Sequence, residues 1–140
     1  MAVPVAPGKP LTPRQRRRVE RAVAAAEQLT GLQWCVYLGG VEGDLRQHAE
    51  GVLAGLGLAV RPAVLLTVAP PQGRFEIVTT PAAQQRVSDR DCAIAAVSMR
   101  ASFAVGDIAG GITEGLRLLA ACAGAGDPAA GATALPDVLG

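Results

Sequence analysis

Residues 63–80, AVLLTVAPPQGRFEIVTT, decide the fold. The first run, Ala63 to Ala69, is almost continuously apolar and rich in β-branched and aliphatic side chains, the pattern of a strand buried on both faces. The second, Arg74 to Thr79, alternates polar and apolar residues, as a half-exposed strand does. Pro70 and Pro71 cannot continue a ladder, and Gly73 has the backbone freedom to reverse the chain. The stretch therefore predicts a β-hairpin inside an α/β sheet.

Working outward, Leu32-Gln33-Trp34-Cys35-Val36-Tyr37-Leu38 reads as an earlier strand ended by Gly39-Gly40. Between it and the hairpin, Asp44-Leu45-Arg46-Gln47 opens a helix with Leu45, Ala49, Val52, Leu53 and Leu56 on one side. Strand, helix, strand implies a parallel crossover, and the hairpin adds an antiparallel strand, so the sheet is mixed. Before it, Thr12-Pro13-Arg14-Gln15 is a capping box with proline in the first turn, followed by a stripe of Val19, Ala22, Val23, Ala26 and Leu29 and by Gly31 as a C-cap. After the hairpin, Ser88 starts a helix with Asp89 and Asp91 in its first turn and Cys92, Ala95, Ala96, Met99 and Phe103 inward. Gly106-Asp107 opens a last helix with Ile108, Ile112, Leu116, Leu119 and Ala123 inward. Gly110, Gly111 and Gly115 each cost that helix about 1 kcal/mol against alanine, which implies close packing against another element. The expected fold is α/β, a mixed three- to four-stranded sheet sandwiched between about four helices. Residues 1–11 are expected as a flexible arm, 12–123 as one domain and 124–140 as a flexible tail.

Composition narrows the function. Half the residues are hydrophobic and only 3% aromatic, so the core is built from Ala, Val, Leu and Ile. The formal net charge of +1 gathers neither nucleic acid nor anionic lipid, and Arg14, Arg16, Arg17, Arg18 and Arg21 read as a solvated helix face. Cys35, Cys92 and Cys122 are widely spaced without a CxxC, and with one His they form no zinc or disulfide framework; they read as buried, reduced thiols. His48 reads as a surface residue. The N-terminal MAVPVAPGKP lacks a basic region followed by an apolar run, and no segment is apolar enough to span a bilayer, which predicts a cytoplasmic protein. The sequence lacks GxSxG, P-loop, GxGxxG and HExxH motifs. What remains is acidic: Asp89, Asp107 and Asp91 at loop-to-helix junctions either cap their helices or hold Mg²⁺ or Ca²⁺.

Leu11 to Ala123 resembles a TPM-type domain, with a small actinobacterial branch of unknown function as the nearest likeness. The resemblance is carried by Trp34 to Gly39, Arg46 to Glu50, Ala63 to Ala69, Phe75 to Thr80 and Ala101 to Ile112. It implies a mixed sheet between helices and, from some members, divalent-metal binding and weak acid phosphatase activity. The family's Gly-Asp corresponds to Gly106-Asp107, and its acidic residue opening the preceding helix to Asp89. Its Asp-Asn-Gly is replaced by Arg61-Pro62-Ala63, and its Gly-x-Gly-hydrophobic-Glu by Thr79-Thr80-Pro81-Ala82-Ala83. Two expectations follow. One is a non-catalytic cytoplasmic module that binds a partner protein or assists an assembly. The other is a metal-assisted phosphatase with Asp107 and Asp89 as metal ligands and Arg86 or Arg90 neutralising phosphoryl charge.

Overall fold

The computed structural model describes residues 11–41, 43–58, 61–70, 73–125 and 138–139. The chain runs α1 (Pro13–Thr30), β1 (Gln33–Leu38), α2 (Leu45–Gly55), β2 (Ala63–Ala69), β3 (Arg74–Thr79), α3 (Asp89–Ala104), α4 (Ile108–Ala123) and β4 (Val138–Leu139). The sheet order is β3-β2-β1-β4. β1 and β2 are parallel, with Gln33 opposite Ala63 and Leu38 opposite Val68. β2 and β3 form the antiparallel hairpin, with Val64 opposite Thr79 and Ala69 opposite Arg74. The expected α/β class and mixed sheet are present. β4 pairs in parallel with β1, a fourth strand that the Ala-, Gly- and Pro-rich C-terminal sequence does not announce. The expected arm over 1–10 and most of the expected tail, 126–137 and 140, lie outside the described residues.

Local chemistry explains the boundaries. Thr12 accepts from the Gln15 N–H while the Gln15 side chain accepts from the Thr12 N–H, closing the capping box of α1. Gly31 ends the helix at φ 74°, its N–H donating to the Glu27 carbonyl. Gly73 takes φ 61° and donates to the Pro70 carbonyl; Pro71 and Gln72, also expected in this turn, lie outside the described residues. Thr80 fastens the base of the hairpin, its hydroxyl accepting from the Ala63 N–H at 2.9 Å and donating to the Arg61 carbonyl.

The period-2 alternation of the strands sorts the core into two layers. Trp34, Val36, Val64, Leu66, Val68 and Ile77 face α1, α3 and α4. Cys35, Ala63, Leu65 and Val78 face α2. β2 is buried along its whole length, as its continuous apolar run requires. At the α1–β1 junction the Trp34 indole N–H donates to Thr30 Oγ1 at 2.8 Å, and Thr30 donates to the Ala26 carbonyl at 2.7 Å. Two residues differ from expectation. Leu29 is 48% exposed on α1, because it borders the open groove between α1 and α4. Leu11, expected in the arm, packs against the core.

Helices α3 and α4 meet through glycine. A Cβ on Gly111 would clash with the edge of the Phe103 ring, and one on Gly115 would lie 2.5 Å from Met99 Sδ. Replacing Gly111 by alanine gains about 1 kcal/mol of helix propensity but overpacks a rigid ring, at a cost of about 1–3 kcal/mol. Gly111→Ala is therefore expected to lower stability in urea unfolding. Gly115→Ala should cost less, because the Met99 side chain can swing aside.

Candidate functional site

The acidic residues singled out in the sequence are not brought together. Asp107 is the N-cap of α4, its carboxylate accepting from the Gly110 N–H at 2.9 Å. Glycine at position 110 leaves room for that carboxylate, which a Cβ would displace. Asp91 closes the capping box of α3, accepting from the Ser88 N–H at 3.0 Å while Ser88 Oγ accepts from the Asp91 N–H. The Ser88 N–H holds the Asp91 carboxyl below its usual range. Asp89 is exposed in the first turn of α3. It and Asp107 stand at opposite ends of that 16-residue helix, about 24 Å apart at 1.5 Å per residue, so one ion cannot be shared by both. Among the described residues no three His, Cys, Asp or Glu side chains gather closely enough to hold a metal.

Arg86, expected near a phosphoryl group, is committed elsewhere. It donates to the Thr30 carbonyl at 2.6 Å, the Ala123 carbonyl at 3.2 Å and the Gly124 carbonyl at 2.7 Å. A guanidinium is well suited to this, because its fork satisfies the free carbonyls at the C-terminal ends of α1 and α4 together and sits at the negative end of both dipoles.

The α2 face carries polar residues that the sequence reading passed over. Tyr37, Thr67 and Glu76 lie in register across β1, β2 and β3. His48 is not a free surface residue as expected. Its ring packs edge-on against Tyr37, centroids 4.8 Å apart, because helical spacing from Leu45 and Ala49 turns position 48 toward the sheet. His48 Nδ1 and Thr67 Oγ1 are buried without hydrogen-bond partners among the described residues. Arg46 of α2 pairs with Glu76 of β3 at 2.8 Å.

That ion pair borders a groove of about 490 Å³ along the outer side of β3, with Phe75 at its floor and Asp89, Cys92 and Arg100 of α3 on the far wall. Arg100 lies 5.8 Å over the Phe75 ring, and Phe75 packs edge-on against Phe103 at 5.1 Å. A second, more apolar groove of about 540 Å³ runs between α1 and α4, bordered by Ala22, Leu29, Leu116 and Ala120. The signal for the β3 groove was present in the sequence as helical spacing, since Asp89, Cys92, Ala93, Ala96 and Arg100 fall on one side of α3. It was masked there by the neighbouring buried stripe.

Cys35 is buried as expected, but Cys92 is half-buried and Cys122 is exposed. Burial pushes the Cys92 thiol up to about 11, and the Asp89 and Asp91 carboxylates add to the effect. Burial and Asp91 raise the Cys122 thiol as well. A thiol whose folded pKa is raised stabilises the fold fully below its unfolded pKa and loses that contribution as pH rises through the folded value. Stability is expected to fall between pH 9 and 11, and to fall less in Cys92→Ala, as read by urea unfolding across that range.

Among the described residues no helix is long and apolar enough to cross a membrane. The fold is similar to that of BA42, a protein from the psychrophilic bacterium Bizionia argentinensis, with TM-score 0.81, 20% identity and coverage of 96% of this chain and 97% of that one. It is also similar to the N-terminal domain of a protein from P. gingivalis, with TM-score 0.71, 16% identity and coverage of 80% and 75%. No curated protein matches the chain in sequence. Residues 4–120 match the family described as a domain of unknown function, DUF5130, and the chain belongs to that family.

Proposed function

We infer that the chain is a non-catalytic, cytoplasmic TPM-like module that acts by associating with protein. One observation carries this reading: the flank of the molecule beside β3 combines a strand edge with an apolar helix face. β3 ends the sheet, and α3 turns Ile94 and Val97 outward at 55% and 65% exposure, with Val105 at its C-cap 82% exposed. Ala93, Ala101 and Ala104 are exposed on the same side of α3. A contiguous outward apolar stripe on a helix with a separate buried stripe is a feature of interaction surfaces. The capping role of Asp107 and its distance from Asp89 count against the alternative, a weak divalent-metal-dependent acid phosphatase.

The expected outcome is no hydrolysis of p-nitrophenyl phosphate above buffer background from acid to neutral pH with millimolar Mg²⁺, Ca²⁺ or Mn²⁺, and no thermal shift from these ions. An ion at a hundred times its dissociation constant adds about 2.7 kcal/mol, which is about 9 °C for a domain of this size. Metal-dependent turnover, or such a shift, lost in Asp107→Ala would overturn the non-catalytic reading.

A further inference from the structure

The β3 flank is complementary to itself. Thr80 N–H donates to the Ala63 carbonyl at 3.0 Å, and the antiparallel register then turns the backbone N–H and C=O groups of Glu76 and Val78 toward β2. The corresponding groups of Phe75, Ile77 and Thr79 point out of the sheet. α3 is the outermost helix on this side. It packs on α4, which packs on α1, and its Phe103 meets Phe75 of the edge strand. The strand edge and the Asp89-to-Arg100 wall of α3 therefore share one flank, and Val97, one helical turn from Ala93 and Arg100, lies at the rim of that wall.

The charges in the groove are arranged asymmetrically along its length. Arg100 stands over Phe75, and Asp89 lies eleven residues earlier on α3 in the same groove wall, about 16 Å away at 1.5 Å per residue. Among the described residues neither is in an ion pair. Arg46 and Glu76 neutralise each other.

We propose that this flank is a self-association surface on which a second copy of the chain docks across a two-fold axis, its β3 pairing antiparallel with β3 to make one continuous sheet. The proposal rests on the protein-association reading above and names its partner. A two-fold through Ile77 sets Phe75 opposite Thr79 of the second copy and Glu76 opposite Val78, so no like charges face each other. It joins the outward groups of Phe75, Ile77 and Thr79 in about six inter-strand hydrogen bonds. The same axis reverses α3, bringing the Arg100 end of each groove to the Asp89 end of the other. Each contact then occurs twice, as an isologous interface requires. Val97, at the rim of the groove wall beside Ala93 and Arg100, lies on the same face of the joined sheet in each copy.

Sedimentation equilibrium of the full chain from about 1 to 300 µM tests this, with circular dichroism confirming that each variant is folded. A monomer–dimer equilibrium is expected. Val97→Glu should weaken it at least tenfold, since it places a charge in the apolar contact. Arg100→Asp and Asp89→Arg should each weaken it, and the two together should restore it, with the restored dimer weakened by salt. Hydrogen exchange at the Phe75, Ile77 and Thr79 amides should slow as concentration rises. A wild type that stays monomeric at 300 µM overturns the proposal, as does a dimer indifferent to Val97→Glu and to the charge reversals. Either result leaves the non-catalytic reading to stand or fall on the hydrolysis assay alone.

Discussion

The close approach of α3 to α4 is the constraint on which the rest of the molecule depends. Phe103 and Met99 occupy the space that side chains on Gly111 and Gly115 would fill. The two helices thus lie together over one face of the sheet and still leave room for α1 beside them. A larger residue at Gly111 would push Phe103 and α3 away from α4. Phe75 would lose its contact with Phe103, and the groove along β3 would lose its far wall. The unfavourable helix propensity of the glycines is repaid by this packing. Glycine at 110 is a related device, since it lets Asp107 fold back over the start of α4.

Much of the architecture was legible because each element carries its own signal. The continuous apolar run of β2, the alternation of β3, and the caps at Thr12, Asp44, Ser88 and Asp107 depend on neighbours in sequence, and all are found where local chemistry puts them. Long-range pairings were not legible. Arg86 reads as an arginine in a polar loop, and nothing within ten residues of it shows that its partners are carbonyls at positions 30, 123 and 124. His48 is similar, because its contact with Tyr37 depends on which way α2 crosses the sheet. Leu29 and Cys122 lie at the edges of apolar stripes, where burial is decided by the width of the opposing element rather than by periodicity.

The candidate site shows the same division. That Asp89, Asp91 and Asp107 open helices follows from helix electrostatics, and a carboxylate serves equally well there as a cap or as a metal ligand. Only the length of α3 separates the possibilities, since it holds Asp89 and Asp107 far beyond the span of one coordination sphere. Arg46, Phe75 and Arg100, by contrast, come from three different elements. No spacing in the sequence joins them.

An edge strand with unpaired backbone groups is a hazard that folds ordinarily blunt with charge, proline or a covering element. The two edges of this sheet differ in that respect. On the β1 side, Val138–Leu139 of the same chain pairs with Val36 and Tyr37. On the β3 side the guard is partial: Arg74 is exposed at the turn and the Arg46–Glu76 pair flanks the middle, but Ile77 and Thr79 follow without a charge of their own. Random aggregation through such an edge is limited when only one approach satisfies both backbone and charge. Arg100 and Asp89 supply that restriction, since only the antiparallel copy keeps both α3 helices on one face and brings each Arg100 to the Asp89 of the other. A groove charged at its two ends with opposite sign admits an extended chain in one direction, and this selectivity separates a binding edge from a sticky one.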